Sequence, residues 1–136
     1  MRRTILLLAV FALALAIVVT PAAAVASRDG RWVGSNSQDE PFKLTVRHEE
    51  IVEFLTHLNF SRCDMQESEQ GKGLSIPIRA DGTFRAKLVG TKDPKDTLTI
   101  AGEFTAPRRA SGTVRVALRG GDCNDTVKAT WKVTKQ

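Results

Sequence analysis

Successive runs of this sequence alternate apolar and polar residues with a period of two, and no other feature limits the possible folds so strongly. Phe42, Leu44 and Val46 alternate with Lys43, Thr45 and Arg47; Phe84, Ala86 and Leu88 alternate with Arg85 and Lys87. Leu98, Ile100, Gly102 and Phe104 alternate with Thr97, Thr99 and Glu103, and Val114, Val116 and Leu118 with Thr113, Arg115 and Ala117. The last segment repeats the pattern with Val127, Ala129, Trp131 and Val133. Side chains of an extended strand point to opposite faces in turn, so each run has one dry and one wet face.

Turn residues break these runs at Asp81-Gly82, Lys92-Asp93-Pro94, Ala110-Ser111-Gly112 and Gly120-Gly121-Asp122. Such spacing predicts an antiparallel β-sandwich of about eight strands, with a small closed β-barrel as the alternative. Leu74, Ile76 and Ile78 form a further strand, but Pro77 lacks an N–H and assigns it to a sheet edge. Residues 51–60 carry two periods at once. Ile51, Phe54, Leu55 and Leu58 would line a helix face, while Val52, Phe54, Leu58 and Phe60 fit a strand; the β-like neighbours favour the strand. Cys63 then falls on the opposite parity from Phe60, which predicts a bulge near Ser61.

Before the first run, Arg2 and Arg3 precede an apolar stretch from Ile5 to Val19, then Thr20, Pro21 and small residues. This is the layout of a signal peptide, with Ala24 and Ala26 at the positions a signal peptidase reads and cleavage expected after Ala26. The apolar stretch is shorter than the roughly 20 residues of a spanning helix, so no stable membrane span is expected after cleavage. Residues 27–136 are the length of one domain. Its net charge falls from +5 for the whole chain to about +3 without Arg2 and Arg3. That is mildly basic and gives no reason to expect nucleic acid as a partner.

Cys63 and Cys123 are the only cysteines. In an oxidising compartment they are expected to pair, and closing so long a loop stabilises a fold by about 4 kcal/mol on chain-entropy grounds. No Cys-x-x-Cys motif is present to suggest redox or metal chemistry.

The order Trp32-x-Gly34, Cys63, Asp81-Gly82-Thr83-Phe84, Gly102-Glu103-Phe104, Ser111-Gly112-Thr113-Val114, Cys123, Trp131 resembles that of a loose group of uncharacterised secreted bacterial β-sandwich domain proteins. The resemblance covers nearly all of residues 27–136. It implies a shared fold, and it implies no activity, cofactor or catalytic residue.

The residues themselves point to no catalytic or metal site. His48 and His57 are nine positions apart, which on a strand sends them to opposite faces. The serines lack a Gly-x-Ser-x-Gly setting, and Gly71-x-Gly73 and Gly120-Gly121 lack the lysine of a phosphate loop. Asp64, Glu67 and Glu69 match no calcium-loop spacing, and Asp122, Asn124 and Asp125 read as turn formers. Trp32 and Trp131 could stack on a sugar if exposed, but both occupy strand positions that favour the core.

Two surface features remain as candidate binding sites. The polar stretch Gln66, Glu67, Ser68, Glu69, Gln70 and Gly71 reads as a flexible loop joining two strands. The outward positions Lys43, Arg47, Arg85, Lys87, Arg115, Lys128 and Lys132 could form a basic face. The expected function is therefore a secreted, non-catalytic binding module without a cofactor, its partner an anionic cell-surface polymer or a secreted protein. The alternatives are a small inhibitor or toxin-like protein acting through the 66–71 loop and, less favoured, a hydrolase.

Overall fold

A computed structural model describes residues 27–136. The expected signal peptide, with Ala24 and Ala26, lies outside the described residues. Eight strands follow one another: β1 (Gly30–Asn36), β2 (Pro41–Arg47), β3 (Glu50–Phe60), β4 (Met65–Pro77), β5 (Thr83–Val89), β6 (Thr97–Ala106), β7 (Arg109–Leu118) and β8 (Asp125–Lys135). All adjacent pairs are antiparallel, and they form a single sheet in the order β4-β3-β2-β1-β8-β7-β6-β5. The sheet thus consists of two four-stranded meanders joined where the first strand pairs with the last. It curls into a nearly closed barrel, the one-sheet form of the all-β fold, with β4 and β5 as its unpaired edges.

The alternation read from the sequence sets which side chains face inward. Phe42, Leu44 and Val46 are buried, as are Ile100, Val114, Val116, Ala129, Trp131 and Val133, while their sequence neighbours, the buried Ala117 excepted, are exposed or half-exposed. Curling brings distant strands together across the interior. Phe42 on β2 stacks on Trp131 of β8 with ring centroids 4.7 Å apart, and Phe84 of β5 lies 6.0 Å from the same indole. Trp32 meets Phe104 edge-on at 4.9 Å. Such contacts add to area burial, and an eight-stranded barrel is narrow enough for these rings to fill it.

Glycine makes the room for Trp131. The register aligns Phe84, Gly102, Gly112 and Trp131 across β5–β8. A Cβ on Gly102 would come within 2.5 Å of the indole, and one on Gly112 within 2.0 Å of the Ala101 carbonyl oxygen. Glycine inside a strand serves here to let a large ring approach the backbone.

Residues 51–60 are strand, as expected, and Pro77 does lie on an edge strand. No bulge occurs near Ser61: β3 ends at Phe60 and Cys63 sits in the β3–β4 turn. From there it bonds Cys123 in the β7–β8 loop, with Cα atoms 5.7 Å apart and a sequence separation of 60. The bond ties the two meanders together at one end of the barrel. Beside it, the buried Asp125 carboxylate accepts the backbone N–H groups of Arg62 (3.2 Å) and Thr126 (2.7 Å).

At the opposite end, the β2–β3 turn is formed by His48 and Glu49, both with positive φ (52° and 57°). Side chains other than glycine are disfavoured there. Asp29 compensates: its carboxylate accepts the N–H of His48 at 3.0 Å and of Glu49 at 3.1 Å. Those backbone hydrogen bonds hold its carboxyl below the ordinary aspartate range.

Candidate functional site

Apolar side chains fill the interior, and most charged side chains lie on the outer wall. On β5–β8 the outward positions carry Arg85, Lys87, Arg109, Arg115, Lys128 and Lys132, all exposed. The outward carboxylate on these four strands is Glu103. Register places the cations in rows. Lys87 lies opposite Thr99, Thr99 opposite Arg115, and Arg115 opposite Lys128, so three cations cross four strands in one line. The parallel line through Arg85, Ala101, Thr113 and Thr130 adds one more cation and two hydroxyls.

None of these cations is engaged by a carboxylate. Among the described residues the ion pairs are Arg28–Glu49 and Arg62–Asp125, both away from this face. Six unpaired like charges on one sheet face repel one another and create a positive potential that an anion would relieve. Between them stand threonine hydroxyls, which donate and accept hydrogen bonds.

Of the seven cations singled out from sequence, five belong to this face: Arg85, Lys87, Arg115, Lys128 and Lys132. Lys43 and Arg47 also point outward but lie on β2, in the other meander. Sequence reading passed over Arg109 and Arg31. Both are legible by parity, Arg109 with Ser111 and Arg115, and Arg31 with Val33 and Ser35.

Two shallow grooves mark the outer wall. One, of about 480 Å³, runs over β7, β8 and β1 between Arg109 and Lys132, with Gly34 in its floor. A Cβ on Gly34 would fall 1.9 Å from the Lys132 carbonyl oxygen, so glycine permits the tight β1–β8 seam. The other, of about 340 Å³, lies over β1, β2 and β3, and the two meet at Val33.

The segment 66–71 corrects the sequence reading. Gln66, Glu67, Ser68, Glu69, Gln70 and Gly71 form strand rather than loop, paired residue by residue with β3 from Leu55↔Gln70 to Asn59↔Gln66. Polar composition concealed the strand because β4 is an edge whose inward positions hold Glu67 and Glu69, half-buried, instead of apolar side chains. Burial pushes the Glu69 carboxyl above the ordinary range, and the nearby Glu67 and Asp96 carboxylates push it further. Asp96 is itself held low by accepting the N–H groups of Gly120 and Arg119.

Trp32 and Trp131 are both in the core, 0 % and 1 % exposed, so neither is a platform for a sugar. His57 faces outward on β3, and His48 sits in the β2–β3 turn. Among the described residues, no three His, Cys, Asp or Glu side chains converge in a metal-holding group. The described residues also contain no helix long and apolar enough to cross a membrane. The chain matches no protein-family model, and a search of curated proteins finds no significant match.

Proposed function

We propose that the protein is an exported, non-catalytic binding module that engages an anionic cell-surface polymer through the outer face of β5–β8. The observation that carries this reading is the set of six exposed cations with one carboxylate among them and no ion pair. A polymer suits the face better than a compact ligand because the charges are spread in rows over four strands. Placement outside the cytoplasm is supported by the signal-like N-terminus and by the Cys63–Cys123 bond, which persists in oxidising compartments. The inhibitor reading needs a protruding loop at 66–71, and that stretch is paired strand.

Binding of the secreted protein to polyphosphate and to dextran sulfate, with neutral dextran as the control, tests the proposal. Both polyanions should bind, more weakly as salt rises. Reversing two charges in R115E/K128E should weaken binding by about tenfold or more while leaving the melting temperature within about 2 °C. Equal affinity for neutral dextran, or an unaffected double variant, would reject the reading.

A further inference from the structure

We propose that the pocket on the outer wall of β1, β2 and β3 is a discrete binding site for a phosphate monoester. This site is independent of what the β5–β8 face binds. The ladder is irregular there. The ladder slips between Thr45 and Val46 on β2 and between Ile51 and Glu53 on β3. Such bulges sharpen the local bend of a sheet and re-aim its side chains.

Register gathers the chemistry around Thr45. Arg31 lies directly opposite it on β1 and Glu53 directly opposite on β3. Lys43 and Arg47 stand two residues to either side on β2, on the same face. Directly opposite positions are about 5 Å apart and i, i+2 positions about 7 Å. All five groups therefore reach one ligand atom cluster, and all line the pocket of about 340 Å³. Glu53 forms no ion pair with these cations, the described ion pairs being Arg28–Glu49 and Arg62–Asp125.

Charge selects the ligand class. Three cations and one carboxylate leave a surplus that a single carboxylate ligand would only half neutralise. A phosphate monoester carries about −1.5 to −2 at neutral pH and offers three acceptor oxygens. Two arginines and a lysine supply charge-assisted donors to them, and the Thr45 hydroxyl supplies one more. The organic part of the ester has a place too. Val33 and Leu55 flank Lys43 across the strands, both half-buried and both lining the pocket.

The same headgroup could reach the protein as a free ester or on a lipid, and the test separates them. Glycerol phosphate is titrated into the protein by calorimetry and by amide chemical-shift mapping, with glycerate as the carboxylate of matching body. One saturable site is expected, with shifts at Arg31, Val33, Lys43, Thr45 and Leu55 and weaker binding of glycerate. R31A and T45V should each lose about tenfold in affinity, T45S should retain it, and K128E should stay within about twofold. Glycerate binding as tightly as glycerol phosphate, wild-type affinity in R31A and T45V, or shifts centred on Arg85, Lys87, Arg115 and Lys128 would each overturn the site. Uptake onto phosphatidic acid vesicles that R31A abolishes assigns the lipid source. Binding of the free ester without uptake assigns the soluble one, and failure of both overturns the proposal. The R115E/K128E double variant tests the polymer face separately, so the two readings fail independently.

Discussion

In β1–β4 the ladder slips at Thr45/Val46 and again at Ile51/Glu53, whereas in β5–β8 the register runs unbroken except beside the β6–β7 turn, at Phe104/Ala106. The first half also carries the turns with non-glycine positive φ at Asp39, His48, Glu49 and Asp64, and a buried polar pair, Asn36 and Thr56. In the second half the positive-φ positions are glycines, Gly82 and Gly121, and in its core two inward glycines seat a tryptophan. The outer surfaces follow suit. Regular strands give β5–β8 straight rows of cations and threonines, while β1–β3 gather cations around Thr45 in a pocket, and a second groove follows the β7–β8–β1 seam between the two.

The Cys63–Cys123 bond is the tie between these halves, and cutting it should have the largest effect. A C63S/C123S variant is expected to lose about 4 kcal/mol of stability, read by urea unfolding of the variant and the wild-type protein at matched pH. Unchanged stability would mean that the β1–β8 pairing alone holds the meanders together.

In the regular half the weak point is added volume. Gly112→Ala places a methyl against the Ala101 carbonyl and the Trp131 ring, and a cost of about 3 kcal/mol is expected. Near-ultraviolet circular dichroism should lose the signal of the immobilised indole. A neutral result would show that the β6–β8 backbones have slack.

In the bulged half the matching weak point is polar. Asn36 Nδ2 donates to the Thr56 hydroxyl at 3.0 Å and to the His57 carbonyl at 2.8 Å, and its Oδ1 accepts the Gln38 N–H at 2.9 Å. Asn36→Ala leaves Thr56 and the turn without that partner and should cost about 2 kcal/mol. Hydrogen exchange should accelerate in the β1–β2 turn and in β3 before β6–β8.

The smallest effect is a pH dependence. Asp29 is held low by the His48 and Glu49 N–H groups. A depressed carboxyl contributes stability that is present above its unfolded value and lost as pH falls through its folded one. The loss from this residue should therefore lie below about pH 4, and Asp29→Asn should flatten the acid limb of the stability profile without altering the alkaline side. An acid limb identical in the variant would place the acid sensitivity elsewhere.

Strand after strand was legible in this sequence because the inward residues are apolar and the outward ones polar, as at Phe42, Leu44 and Val46. Two stretches depart from it: Ala110-Ser111-Gly112, read as a turn, lies within β7 and pairs on both sides, and β4 shows what that signal needs. Its inward Glu67 and Glu69 are half-buried at an open edge, so they give no apolar trace, and only pairing with Leu55 to Asn59 makes the segment a strand. The cations of the β5–β8 face were legible singly, by parity. Their assembly into rows was not, because register between strands distant in sequence is set by turns and packing rather than by any one strand.

By itself, then, the sequence determined the all-β class, the sidedness of each regular strand, the pairing of its two cysteines and the edge position of Pro77, since each follows from local period or from a count of two. Tertiary structure alone decided that eight strands form one curled sheet, that Gly102 and Gly112 lie beneath Trp131, and that Arg31, Lys43, Arg47 and Glu53 surround Thr45. Those arrangements depend on which strands become neighbours and where a ladder slips, and both are settled only when the whole sheet closes on its core.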